Sequence, residues 1–152
     1  DSVASSTPIR RGRADLVRPG ADGAIVAAGA FVEEALAAAR GLATGPKKLD
    51  VGVINARFVK PIDRQTILDP LRRGGFLVTV EDGVLAGGFG SAVLEAACDE
   101  RLDTRRLKRL GIGDQYVPHG SRGELLRLLE IDAEGITAAC AALASGTRGE
   151  RE

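Results

Sequence analysis

"GFLVTVEDGVLAGGFGSAVLEAACDERL", residues 75–102, decides the fold class. It begins with a short, continuous apolar run, the mark of a strand covered on both faces rather than one face exposed to water. Two acidic residues, Glu81 and Asp82, end that run, and glycines follow at 83, 87, 88 and 90. A helical pattern then starts at Ser91. The same strand–turn–helix order recurs along the chain. "GAIVAAG" (23–29) is followed by the helical "AFVEEALAAARGLA" (30–43), and "LDVGVINA" (49–56) by "RQTILDPLRR" (64–73). Asp63 is placed to cap that second helix, and Pro70 is expected to shorten or kink it. "RLKRLGI" (106–112) reads as a charged strand nearer an edge, and "RADLV" (13–17) as a short edge strand. Two helices close the chain. Ser121 and Glu124 form a capping box before "LLRLLE", and Asp132 caps "AEGITAACAALA".

Repeated alternation of this kind implies right-handed crossovers and a parallel sheet between helix layers. The expected fold is therefore α/β: three layers, α/β/α, around a mainly parallel sheet of about five strands with one antiparallel edge strand. Residues 1–11 read as a linker from upstream domains, 12–144 as the domain, and 145–152 as a disordered tail. There is no methionine in the chain, which reads as a piece of a longer protein.

Composition narrows the function. Lysine plus arginine and aspartate plus glutamate number 21 each, so no net field draws the chain to nucleic acid or an anionic membrane. Aromatic residues make up 3%, too few for base-stacking platforms. No apolar run approaches the roughly 20 residues a membrane span needs. Cys98 and Cys140 lack zinc or redox spacing and read as buried thiols in a reducing compartment.

In such folds ligands bind beyond the carboxyl ends of the strands. After the first strand Gly29 stands alone, with Phe31 where a dinucleotide fingerprint needs its second glycine. After the second, Arg57 and Lys60 are candidate anion ligands; the plainer reading pairs one with a carboxylate and leaves the other at the surface. After the third, Glu81 and Asp82 are neighbours on a strand, so they point to opposite faces and do not converge. The turn Gly87–Ser91 has two readings. One is a phosphate cradle at a helix start; no lysine or arginine lies nearby in sequence to support it. The other, preferred, is a turn for close packing, plugged by Phe89, with at least one glycine at positive φ. On that second reading the helix amides are met by Ser91, water or a partner surface. His119, the single histidine, precedes a capped helix with no nucleophile beside it. No catalytic, cofactor-binding or metal-binding residue can be assembled from these parts.

"PIRRGRADLV", "VINARFVKPID", "VTVEDGVLAGGFGSAVLE", "LGIGDQYVPHGSRGELL" and "IDAEGI" occur in the order seen in the C-terminal domain of the 1-deoxy-D-xylulose-5-phosphate synthases, members of the transketolase family. The resemblance runs from about Pro8 to Leu143. It implies a parent enzyme that uses thiamine diphosphate and Mg²⁺, with the cofactor and substrate residues in upstream domains and none bound by this segment. It implies a cytoplasmic homodimer in which this domain packs on the upstream domains and on a second copy. The interface candidates are Arg57, Phe58, Glu81, Val84, Leu85, Gly88, Phe89 and His119. Of these, Phe58, Val84, Leu85 and Phe89 are expected to form one apolar patch.

Overall fold

The computed structural model describes residues 8–146. Five strands make one sheet: β1 (Asp15–Arg18), β2 (Gly23–Ala27), β3 (Val51–Asn55), β4 (Phe76–Val84) and β5 (Leu107–Ile112). Their spatial order is β1-β3-β2-β4-β5. β2 to β5 run parallel, and β1 lies antiparallel along the edge of β3. The helices are α1 (Val32–Thr44), α2 (Arg64–Arg72), α3 (Phe89–Asp99), α4 (Arg122–Leu128) and α5 (Ala133–Gly146). A 3₁₀ turn, Gly29–Phe31, leads into α1. The three-layer, mainly parallel architecture with an antiparallel edge strand is the expected one.

Strand alternation builds two cores, one on each face of the sheet. Ile25, Ala27, Val51, Val53, Val78 and Val80 face α1 and α5, where Leu36, Ala39, Ile136 and Cys140 meet them. Ala24, Val26, Ile54 and Leu77 face α2 and α3, where Ile67, Leu68, Phe89 and Val93 meet them. Each fully buried Val, Ile, Leu or Phe contributes roughly 1.5–3 kcal/mol. The central strands are thus apolar at nearly every buried position, with Thr79 of β4 a buried polar exception, which is why they read as continuous runs.

The caps fall where the side chains dictate. Asp63 accepts from Thr66 N–H (3.2 Å) and Thr66 Oγ1 (2.9 Å), and also from Ala14 N–H (3.1 Å), tying the lead-in of β1 to α2. Burial pushes the Asp63 carboxyl up. The hydrogen bonds from Thr66 and Ala14 and the nearby Arg13 guanidinium outweigh that and hold it below its ordinary value of 3.8. The Ser121–Glu124 capping box is complete, and Asp132 accepts from Gly135 N–H at 2.9 Å.

The structure departs from expectation in four places. β4 continues past Glu81 to Val84, because the strand bulges there: Val80 pairs with Leu110 but Val84 with Ile112. α2 passes through Pro70 and ends at Arg72. Cys98 is exposed on α3, not buried; only Cys140 is in the core, where burial pushes its thiol up to about 12. α5 continues through Ser145 and Gly146, two residues into the stretch expected as tail. The rest of that tail, and residues 1–7 of the expected linker, lie outside the described residues.

Two outcomes follow from the buried groups. A thiol reagent in native buffer should modify one cysteine per chain, Cys98, with Cys140 reacting only in denaturant; mass spectrometry of the labelled peptides checks this. For Asp63 the folded pKa is depressed, so its stabilisation is present above the unfolded value near 3.8 and is lost as pH falls through the folded value. Urea melts of Asp63→Asn should show a cost of about 1 kcal/mol at neutral pH. That deficit should shrink as the pH falls below about 4.

Candidate functional site

In a sheet of this order the ligand crevice lies where the chain turns both ways, between the carboxyl ends of β2 and β4. Here that place is filled by the protein's own groups. Ala28 N–H donates across to Val80 C=O at 3.0 Å. Phe31 fills the space after β2 and is fully buried. The Arg122 guanidinium lies 5.4 Å from the centre of its ring and pairs with Asp82 at 2.7 Å.

The glycine turn shows the same economy. The bulge in β4 re-aims the Glu81 side chain beneath the start of α3. Its carboxylate accepts from Phe89 N–H (2.8 Å) and Gly90 N–H (2.8 Å), and Glu81 is only 7% exposed. The helix start is therefore an anion site whose anion belongs to the chain. The glycines follow from this. Gly87 takes φ +70° to reverse the chain. A Cβ on Gly88 would lie 2.4 Å from Glu81 Oε2, and one on Gly90 2.7 Å from Thr79 Oγ1. Gly88 thus lets the helix approach the carboxylate, and Gly90 lets it approach Thr79 and Arg109 on the sheet.

This corrects one expectation and removes one alternative. The amides of α3 are met by Glu81, not by Ser91, water or a partner; Ser91 Oγ instead donates to Leu85 C=O at 2.6 Å. Arg109, distant in sequence on β5, reaches the turn and donates to Ser91 Oγ (2.7 Å) and Leu85 C=O (3.1 Å). And the reading of Gly87–Ser91 as a phosphate cradle is overturned, since a built-in carboxylate holds the amides a phosphate would use.

The remaining candidates divide by burial. Phe89 is 2% exposed and belongs to the core, so it leaves the expected apolar patch, as Glu81 leaves the surface. Gly88 is half-buried against Glu81. Phe58 and Leu85 are half-buried, and Val84 is 57% exposed. Arg57 pairs with Asp15 at 3.0 Å while Lys60 stays exposed, the arrangement the sequence suggested for these two cations. His119 is exposed. Two further residues belong with this group: Val59, 56% exposed after β3, and the fully exposed Tyr116 after β5. The signal for Tyr116 was available, as it is the single tyrosine and sits in a loop rich in glycine and proline. Two loops and the end of β4 at the carboxyl edge thus each offer one large apolar side chain to solvent. The Tyr116 loop is fastened at both ends to the β4 extension, by Leu85 N–H to Ile112 C=O (2.8 Å) and by Arg122 to Asp82.

Elsewhere, an open groove of about 670 Å³ lies between β1 and α2, towards the opposite edge of the sheet. Its two cations, Arg13 and Arg73, are paired with Asp63 and Asp69. Among the described residues no three of His, Cys, Asp or Glu come together as metal ligands, and no helix is long and apolar enough to cross a membrane.

The fold is a mainly parallel sheet covered by helices on both faces. The chain belongs to the transketolase C-terminal domain family: the model described as "Transketolase, C-terminal domain" matches residues 12–136. It is 46% identical over 145 residues to the 1-deoxy-D-xylulose-5-phosphate synthase of Rhodopirellula baltica, covering 95% of this chain and 22% of that protein. It is 54% identical over 125 residues to the enzyme of the same name from Thermomicrobium roseum, covering 82% of this chain and 19% of that one. The chain thus spans about a fifth of the length of these relatives. Among solved structures, "Split gene transketolase, inactive beta4 tetramer" superposes with a TM-score of 0.82 at 28% identity, over 95% of this chain and 46% of that one.

The Glu81 arrangement makes a measurable claim. Glu81→Ala leaves two buried N–H groups without an acceptor and should cost about 3 kcal/mol. Gly88→Ala drives a Cβ into the same carboxylate and into the Val84 carbonyl oxygen, 2.3 Å away, and should cost at least as much. Because the two share the Glu81 contact, the double variant should cost less than the sum in urea melts, but more than Glu81→Ala alone, since the Val84 carbonyl still opposes the added Cβ.

Proposed function

We propose that this chain is the C-terminal domain of a 1-deoxy-D-xylulose-5-phosphate synthase, in which it packs rather than catalyses. The parent condenses pyruvate with glyceraldehyde 3-phosphate on thiamine diphosphate and Mg²⁺, releasing carbon dioxide, as an early step towards isoprenoids in the cytoplasm. The domain supplies neither a cofactor ligand nor a catalytic group. The described residues do not suit the cofactor: the glycine-rich helix start is taken by Glu81, and among them no acidic cluster offers Mg²⁺ a site. No step of the reaction is assigned to this chain.

Its work is to cover, and be covered by, the other domains and a second copy. The observation that carries this is the trio Val59, Val84 and Tyr116, exposed on two loops and the end of β4 at one edge of the sheet. Phe58, Leu85 and His119 extend that face. A lone domain gains nothing by exposing them, whereas a partner surface burying them gains the ordinary transfer energy of apolar groups. The tetramer named for the split-gene structural relative supports assembly through chains of this kind.

Two measurements test the reading. Calorimetry of this chain with thiamine diphosphate and Mg²⁺ should give no binding heat; micromolar binding would sink the claim that it holds no cofactor. In the full-length enzyme, Val84→Asp with Tyr116→Asp should weaken dimerisation at least tenfold by sedimentation. The same changes in this chain alone should leave its stability within about 1 kcal/mol of the parent, since both side chains are at the surface.

A further inference from the structure

Among the described residues, Arg57 is the one non-glycine residue with positive φ (54°) in a stretch that follows a strand, two residues past β3; Lys48, Arg101 and Glu130 take that conformation in the stretches that follow helices. There the left-handed conformation is a common way to end a helix. At Arg57 it serves a different turn. Phe58 N–H donates back to Ala56 C=O, closing a three-residue turn of the rare, strained γ kind around Arg57. Arg57 N–H is engaged by the Asn55 side-chain oxygen at 3.0 Å. The guanidinium reaches across to Asp15 on β1 at 3.0 Å, with both side chains nearly covered, 11% and 13% exposed. Asp15 is in turn paired in the sheet with Asn55. Phe58 and Val59, the first residues past the turn, belong to the exposed apolar edge.

A strained backbone persists only where its surroundings hold it, and such strain collects at functional positions. A glycine would occupy this φ freely, yet the chain places an arginine there and covers its charge with a carboxylate from the edge strand. We propose that Arg57 and Asp15 form a clasp: the ion pair holds the strained turn, and the turn sets Phe58 and Val59 in the positions from which they meet a second copy of the parent chain. Arg57 is a positioning residue. The inference rests on the reading of the carboxyl edge as a docking face. The clasp itself is intrinsic to this chain and can be observed without any partner.

The test separates a clasp from a salt bridge that merely adds stability. Asp15→Ala removes the holder and leaves the strained arginine. Hydrogen exchange of the Phe58 amide in this chain should then speed up at least tenfold, with the amides of α5 unchanged. Adding Arg57→Gly removes the strain as well, so exchange at Phe58 should return towards the starting rate. A pair that only contributes stability gives the opposite order, with the double variant no better than the single. In the full-length enzyme, Asp15→Ala should weaken dimerisation about tenfold by sedimentation, and Arg57→Gly should restore part of it. If Asp15→Ala does not fold, Asp15→Asn, which keeps the strand and drops the charge, takes its place. Unchanged exchange in the single variant, or no recovery in the double, overturns the clasp. Recovery of exchange without any change in dimerisation overturns its link to assembly. The Val84→Asp, Tyr116→Asp result then shows whether the docking face itself stands.

Discussion

One carboxylate, Glu81, organises the carboxyl edge of the sheet. It lies at the end of the strand that runs through both cores, and it holds the first free amides of α3. Charge-assisted bonds of this kind are stronger than neutral ones, and the helix dipole adds to them. Several features of the edge depend on it. The bulge in β4 exists where Glu81 must turn under the helix. A Cβ on Gly88 would meet its carboxylate, and a Cβ on Gly111, across the bulge, would press within 3.1 Å of Glu81 Cγ. Leu85 leaves the strand fastened to Ile112, which fixes where the next loop begins.

The result is an α/β domain in which the usual ligand position has been consumed by structure. Phe31 fills the crevice after β2, Arg122 and Asp82 close over it, and a side-chain anion sits where a phosphate would. What remains at that edge is a set of loops with fixed roots and apolar tips. This suits a domain of the transketolase C-terminal family, whose members here match about a fifth of much longer enzymes.

The fold was legible because both cores require apolar residues at successive strand positions, and such runs are hard to mistake. The caps at Asp63, Ser121 and Asp132 were legible for a local reason: each acts within three residues of itself. The site was only half legible. The glycines announced a tight turn, but the carboxylate that explains them is eight residues from its first partner, and Arg109 lies eighteen from Ser91. Phe89 was misread because, in sequence, an apolar residue between glycines looks like a loop tip; it becomes core only once α3 starts one residue earlier than Gly90. Cys98 was misread from its helical neighbours, since the helix turns that position to solvent.

The antiparallel edge strand has a consequence for the order in which the chain is put together. β1 pairs with β3 alone, and its lead-in is held by Asp63. During synthesis the strand made first therefore has no hydrogen-bonding partner until residues 51–63 have left the ribosome. Two of its four residues, Asp15 and Arg18, are charged. Those charges discourage stray pairing of an open strand edge while it waits. Later, Asp15 meets Arg57 and Arg18 meets Asp50, so the groups that protect the nascent strand become the ones that lock it in place.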